Sequence, residues 1–299
     1  MTTSSDRGAE PVDTSSTPRP QGGARQASSF LSRVCAEARE RVADARRQEP
    51  LGALRTRAAG TADPPPFGPA LRGGIIAEVK RASPSRGVIA ADRDAATQAR
   101  GYVDGGAAAI SVLTEPGHFH GSLDDLAAVA SAVPVPVLRK DFIVDAYQVY
   151  EARVAGAAAV LLLVAALDQA ALVDLLHLAV DAGVDALVET HAADEVDRAV
   201  AAVAALPDGH PPVIGVNARD LRRLMVDRSR FAELAAMLPR GAVVVAESGV
   251  SGPADVAAYR RAGAHAVLVG EHLMLATDPV AATRTLVDAA RNPTLSDSS

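Results

Sequence analysis

Tryptophan is absent from this chain of 299 residues, and Cys35 is its single cysteine. One thiol excludes an intramolecular disulfide framework and any multi-cysteine metal site, and it favours a reducing, cytoplasmic compartment. Long apolar runs are missing as well. The longest, roughly Ala155 to Leu167, falls short of the ~20 residues that a bilayer-spanning helix needs, and the N-terminus lacks the apolar core of a secretory signal. Residues 1–28 carry the Ser, Thr and Arg of a transit-type leader, but Asp6, Glu10 and Asp13 argue against one, and the stretch reads as a disordered tail. Basic blocks are also lacking: 30 Lys and Arg stand against 36 Asp and Glu, a net charge of −6, with no basic stripe of the kind a nucleic-acid binder presents. Neither nucleic acid nor a membrane is therefore an expected partner, and a small molecule is.

What is present is repetition. After the Pro/Gly/Ser-rich start, Phe30, Leu31, Val34, Ala38, Val42 and Ala45 recur at helical spacing, which predicts an amphipathic helix outside the repeat. Four prolines between Thr61 and Pro69 break it. Eight strand candidates follow: Ile75–Lys80, Ala108–Leu113, Pro136–Asp141, Ala158–Val164, Val184–Glu189, Val213–Asn217, Val243–Glu247 and Ala264–Val269. Their spacing matches the ~30 residues of one βαβ unit. Between them lie Ala-rich helical stretches such as Leu123–Ala132, Gln148–Ala155, Gln169–Ala182, Glu195–Leu206, Phe231–Leu238 and Ala254–Ala262, several with N-cap candidates at Asp145, Asp168 and Ser251. Glycines at 106, 156, 183 and 263 precede strands, where a helix C-terminus turns.

Alternation of this kind allows an open doubly wound sheet or a closed barrel. The count of eight favours an α/β fold of the (β/α)₈ type, a TIM barrel with an extra N-terminal helix. No G-x-G-x-x-G follows the first strand, which weakens the dinucleotide-binding sheet further. With 48% hydrophobic residues the chain supports one large core. The expected organisation is a single catalytic domain over residues 29–290 between the tail and a flexible C-terminal segment, 291–299, with no length left for a second barrel.

In a barrel of parallel strands the C-terminal ends converge on one face, so residues far apart in sequence become neighbours there. The strands here end in Glu78 and Lys80, Lys140 and Asp141, Glu189, Asn217 and Arg219, and Glu247 and Ser248. Glu78 and Lys80, two apart on one strand, point to the same side, which in a barrel is the lumen. Burying both is costly unless they pair or handle a charged substrate, and the alternative is a structural ion pair. Lys140 likewise reads either as a proton donor or as the partner of Asp141 or Glu189. The Ser83-Pro-Ser-Arg-Gly turn offers hydroxyls and backbone amides to an anion.

Together, Glu78-Val-Lys80-Arg-Ala-Ser83-Pro-Ser, Ser111-Val-Leu-Thr-Glu115, Leu138-Arg-Lys140-Asp-Phe142-Ile, Leu187-Val-Glu189, Ile214-Gly-Val-Asn217-Ala-Arg219-Asp-Leu221, Ala246-Glu-Ser-Gly-Val250 and Leu268-Val-Gly-Glu271 resemble indole-3-glycerol phosphate synthase, in that family's order and over about residues 30 to 290. The resemblance implies a carbon–carbon lyase of tryptophan biosynthesis, working without cofactor or metal. Its reaction closes 1-(2-carboxyphenylamino)-1-deoxyribulose 5-phosphate to indole-3-glycerol phosphate with loss of CO₂ and water. Ring closure needs an aromatic carbon to attack a ketone, and the oxygen's developing charge needs a proton donor, which points to Lys140. Dehydration needs a base and an acid, roles that the resemblance distributes among Glu189, Glu78 and Lys80. The working assignment makes Glu189 a stabiliser of the cationic intermediate and a base, Lys80 the acid for water loss, and Glu78 its partner and an alternative base.

Asn217 can orient substrate hydroxyls, while Arg219 reads either as a carboxylate holder or as a rim residue. Glu247, Ser248 and Gly249 end the seventh strand and Gly270 and Glu271 the eighth, where many barrels take phosphate on backbone amides; Ser83 joins them. Glu271 can serve there only through its N–H, and an ordinary turn is the other reading of Gly270. Phe119 and Phe142, two of nine Phe and Tyr residues, lie past strand ends where they can stack on an anthranilate ring or simply pack in the core. His118 and His120 flank Phe119 without an evident third metal ligand and read as bystanders. The 117–120 loop and Leu224-Met225 depart from the family pattern. A different phosphosugar barrel, phosphoribosylanthranilate isomerase, is disfavoured because its acid–base pair uses a cysteine and Cys35 precedes the barrel. A non-catalytic barrel that binds a phosphorylated ligand is the alternative of another class. A monomer or weak homodimer is expected.

Overall fold

The computed structural model describes residues 1, 22–83, 87–88, 93–207, 210–219, 227 and 229–293, with side chains from Phe30 onward except at 83 and 88. Residues 2–21 of the expected tail, the C-terminal residues 294–299 and the loop carrying Leu224-Met225 lie outside the described residues. In chain order the elements are α1 (Gly22–Gln48), α2 (Leu51–Ala59), α3 (Phe67–Ala70), β1 (Gly74–Val79), the short pair β2 (Ala82–Ser83) and β3 (Gly87–Val88), α4 (Ala95–Asp104), β4 (Ala109–Leu113), α5 (Leu123–Ala132), β5 (Val137–Lys140), α6 (Ala146–Val154), β6 (Ala159–Leu163), α7 (Gln169–Asp181), β7 (Asp185–Thr190), α8 (Ala193–Val203), β8 (Val213–Asn217), α9 (Ser229–Ala235), β9 (Val243–Glu247), α10 (Pro253–Arg261), β10 (Ala266–Val269), α11 (Glu271–Met274) and α12 (Pro279–Arg291). Strands β1 and β4 to β10 pair in parallel around a closed barrel, with β10 returning to β1.

The period of two along each strand sorts side chains between two cores. Ile75, Ala77, Val79, Ile110, Val112, Val160, Leu162, Val188, Ile214 and Val216 face outward and pack under the helices in one continuous cluster. Their alternates Ile76, Ala109, Leu138, Ala159, Leu161, Leu187, Val213, Val243, Val245, Ala266 and Leu268 fill the lumen. Phe67 and Leu71, at and just past α3, join that inner cluster with no exposed surface and plug the end where the strands begin. The lumen is thus apolar at its base and keeps its polar residues for the top layer.

Asp145 and Asp168 cap α6 and α7, accepting bonds from the N–H groups of Tyr147 and Ala171. Ser251 does not cap α10. Gly252 takes that position because Pro253 opens the helix, and the Ser251 N–H instead donates to Asp255 Oδ2 at 2.8 Å. Gly106, Gly156, Gly183 and Gly263 all adopt positive φ, 72 to 101°, at the helix-to-strand turns where glycine carries no Cβ penalty. Helix α1 lies beside the loops after β4 and β5. Arg46 bonds Asp145 at 2.7 Å, and the Tyr147 hydroxyl donates to the carbonyls of Ala45 and Glu49.

Candidate active site

At the top of the lumen Lys140 Nζ stands 3.0 Å from Glu189 Oε2 and 3.4 Å from Glu247 Oε2. Asn217 Nδ2 donates to the other Glu189 oxygen at 2.7 Å, while Asn217 Oδ1 accepts from the Arg219 N–H at 3.0 Å. A second pair lies nearby: Lys80 Nζ donates to Glu78 Oε1 at 2.7 Å. These seven residues come from five strands and their loop ends, gathered by barrel closure. Lys80 and Lys140 are also the only lysines of the chain, every other fixed cation being arginine. That compositional signal alone marks both positions.

Burial reorganises the charges. It works to lower Lys140, but the carboxylates of Glu189, Glu247 and Glu78 overcome it and hold the ammonium well above the usual lysine range. Burial would raise Glu189, and Lys140, His191 and Asn217 reverse this, keeping its carboxyl well below the usual range. Glu247 ends on the opposite side: burial, then the charge on Glu189, pushes it up to about 8 against the pull of Lys140 and His191. Among the described residues neither Glu247 oxygen has a hydrogen-bond partner. At neutral pH the layer therefore holds an ammonium, an ionised Glu189 and a protonated Glu247, titrating as a set.

Two glycines make room for this layer. A Cβ on Gly215, inside β8, would lie 2.1 Å from Glu247 Oε1. One on Gly270 would lie 2.4 Å from Glu78 Oε1 and 3.1 Å from Lys80 Nζ. Gly270 is thus more than a strand-to-helix turn. Just past β9, Ser248 and Gly249 both adopt positive φ, 67° and 76°. For a serine this is strained backbone of the kind that clusters at functional sites. It is held by the Tyr259 hydroxyl, which donates to the Ser248 carbonyl at 3.0 Å. Glu271 opens the four-residue α11 with Gly270 as its cap.

The family model for indole-3-glycerol phosphate synthase matches residues 31–286. The chain belongs to the indole-3-glycerol phosphate synthase family. It is 54% identical over 242 residues to the indole-3-glycerol phosphate synthase of Mycobacterium avium (strain 104), covering 79% of this chain and 86% of that one. It is 53% identical over 254 residues to that of Mycobacterium ulcerans (strain Agy99), covering 83% and 91%. Among solved structures the fold is shared with a 3-hexulose-6-phosphate synthase, at TM-score 0.58 and 19% identity over 72% of this chain and 99% of that one. A thiamine phosphate pyrophosphorylase from Pyrococcus furiosus follows at TM-score 0.55 and 14% identity, covering 75% and 98%. Among the described residues no helix is long and apolar enough to cross a membrane.

Of the other residues expected at the site, Phe119, Phe142 and Arg219 lie in the loops after β4, β5 and β8. Phe119 and Phe142, both half-buried, face each other with ring centroids 6.4 Å apart. The Ser83 side chain lies outside the described residues, although its backbone pairs with Gly87. Arg219 is half-buried at the head of the loop after β8.

Of the two partners that the sequence allowed Lys140, Glu189 is the one it meets, and Asp141 is placed differently. It is not Lys140's partner and turns away from the lumen, because strand alternation sends Lys140 inward and its neighbours out. Asp141 Oδ2 receives the buried Arg139 at 3.0 Å and the Thr114 hydroxyl at 2.7 Å, and Oδ1 accepts the Phe142 N–H at 2.8 Å. It fixes the top of β5 and with it the Phe142 loop. His118 also has company that its sequence neighbours did not reveal, since its ligand atom and those of Glu37 and Glu115 lie within 4.8 Å of one another. The Glu115 oxygens already accept the N–H groups of Gly117, His118 and Phe119. Arg41 of α1 sits 3.7 Å from both Glu115 and Asp141. The cluster ties α1 to the Phe119 loop. Unforeseen from sequence were His191 and Gly215. A glycine inside a buried strand, as at Gly215, was a readable sign of close approach.

Proposed function

We propose that this barrel closes 1-(2-carboxyphenylamino)-1-deoxyribulose 5-phosphate to indole-3-glycerol phosphate, with Lys140 as the proton donor of the first step. The supporting observation is the Lys140 ammonium, held charged at the lumen mouth between the Glu189 carboxylate and the Glu247 carboxyl group. The ring carbon bearing the carboxylate bonds to the ketone carbon, and the ketone oxygen takes a proton from Lys140. An alkoxide is more basic than any amine, so a lysine held above its usual range still delivers that proton. The same charge disfavours Lys140 as a Schiff-base nucleophile, which must be neutral. CO₂ then leaves, and its electron pair restores the aromatic ring.

The intermediate left by ring attack is cationic at nitrogen, and the ionised Glu189 lies where it can stabilise that charge and later take the proton from the carbon beside nitrogen. Lys80, held by Glu78, protonates the departing hydroxyl, so that water leaves as the indole double bond forms. Asn217, with its amide bonded to Glu189 and to the Arg219 backbone, orients Glu189 rather than standing free. Phe119 and Phe142 flank the anthranilate ring. The backbone around Ser248, Gly249, Gly270 and Glu271, together with Ser83, takes the phosphate, glycine allowing close approach. Cys35 is unsuited to an isomerase's acid–base role: it is buried on α1, and burial pushes its thiol up.

The test is indole fluorescence on adding the carboxyphenylamino-deoxyribulose phosphate to purified protein, beside Lys140→Ala. Product from the wild type and a fall on the order of 100-fold or more in the variant are expected for loss of a positioned acid. A folded wild type that makes no product refutes the enzyme reading and leaves a binding barrel.

A further inference from the structure

His191 follows β7 directly and is buried, with its ring between two carboxylates. Nε2 lies 3.1 Å from Glu189 Oε1, off the line of a good hydrogen bond, and Nδ1 lies 3.3 Å from Glu195 Oε2. Glu195, in the first turn of α8, also accepts the His191 backbone N–H at 2.8 Å. Arg230 of α9 donates to the His191 carbonyl at 3.2 Å. Around Glu189 the remaining faces are taken by Lys140 of β5, Asn217 of β8 and, beyond Lys140, Glu247 of β9. Ring and carboxylate thus come from one turn but are locked by contacts from four elements.

We propose that His191 is a positioning residue for ring closure: as an imidazolium bridging Glu189 and Glu195, it fixes Glu189 so that Oε2 faces Lys140 and Oε1 faces Asn217. Three features carry this. A neutral imidazole can donate from only one nitrogen, so it would leave one carboxylate facing a lone pair; only the doubly protonated ring turns an N–H and positive charge toward both. The ring is buried, so an uncompensated carboxylate beside it would be costly. And Glu189 has two oxygens to share among three partners, so without His191 its carboxyl can rotate and release Lys140. The surrounding carboxylates outweigh burial and hold the imidazole up at about 9, in keeping with a charged ring at neutral pH. The inference rests on the proposed part of Glu189 in the reaction.

The test compares His191→Asn, Glu195→Gln and Glu189→Gln with the wild type in kcat, KM and their pH dependence. For His191→Asn, kcat should fall on the order of tens of fold, the scale of a hydrogen bond to a charged group, while KM stays within about twofold. Glu195→Gln should fall in the same direction by less. In the wild type kcat should decline as pH rises through about 9, when His191 loses its proton, and in His191→Asn that limb should vanish. Long-range ¹H–¹⁵N spectra of wild-type imidazoles give an answer that needs no variant, with His191 doubly protonated at pH 7.5. A neutral His191 in that spectrum overturns the proposal. So does a His191→Asn enzyme with wild-type kcat and pH profile, even if its melting point drops, since that is a purely structural role. Wild-type turnover in Glu189→Gln instead overturns the reading of Glu189, and the two failures are separate.

Discussion

Gly215→Ala adds one methyl group to the inner face of β8, and its cost can be sized from what that methyl meets. The backbone there is ordinary strand, so alanine brings no conformational penalty of its own. The strain comes from Glu247, whose Oε1 would be 2.1 Å from the new carbon, more than an ångström inside ordinary contact; Glu247 Cδ and Leu187 Cδ1 would each be at 3.3 Å. Leu187 belongs to the packed lumen and cannot retreat, so the Glu247 carboxyl must swing away and give up its 3.4 Å approach to Lys140. Overpacking of this kind costs about 1–3 kcal/mol. In a domain of this size that lowers the melting temperature by roughly 2–10 °C. Losing a polar contact to the charged Lys140 should also reduce kcat on the order of 10-fold to 100-fold. Calorimetry and the fluorescence assay measure the two effects. The cause is isolated by repeating the substitution in a Glu247→Ala background, where the clash no longer exists and Gly215→Ala should cost less than about 0.5 kcal/mol. An equal loss in both backgrounds would refute the argument, placing the damage in the strand rather than in Glu247.

Gly270→Ala drives a Cβ to 2.4 Å from Glu78 Oε1 and should separate Glu78 from Lys80; kcat should drop on the order of 10-fold or more, and unchanged turnover would show that this pair is not needed. Glu247 is held up at about 8, and a carboxyl raised on folding loses stability as pH climbs from its unfolded value through its folded one. His191, held up at about 9, acts in the same direction above about 6.5. The melting temperature should therefore fall between pH 6 and 9, and Glu247→Gln should flatten that fall in a thermal scan; an identical slope in the variant rules out Glu247 as a source. Phe142→Ala removes one face of the aromatic pair and should raise KM on the order of 10-fold with a smaller change in kcat, read in steady-state kinetics. An unchanged KM would move Phe142 from substrate contact to loop packing.

Much of the fold was legible because two periods alternate along the chain. Val213–Asn217 and Val243–Glu247 occur with the bounds the apolar runs predict, and Leu123–Ala132 is a helix over its whole predicted length. The strand predicted from Ala264 begins two residues later, at Ala266, because Ala264 N–H still closes the end of α10 on the Tyr259 carbonyl. Site residues were legible where a charge interrupts an apolar strand, as at Glu78, Lys140 and Glu189. They were illegible where identity says nothing of direction. Asp141 and Lys140 are adjacent and both charged, yet one braces a loop and the other enters the lumen. His191 sits in a turn of unremarkable composition, and only its placement between Glu189 and Glu195 marks it.

The order of apolar runs and the residues at their ends are local properties of the chain, and they alone determined that there would be eight parallel strands, an inner and an outer face, and a family resemblance from Glu78 to Glu271. Partner choice across the lumen was decided only in three dimensions. Which carboxylate meets Lys140, why Gly215 must lack a side chain and how Glu247 keeps a proton while Glu189 does not depend on the stagger with which the barrel closes, and on a burial that no single strand can impose on itself.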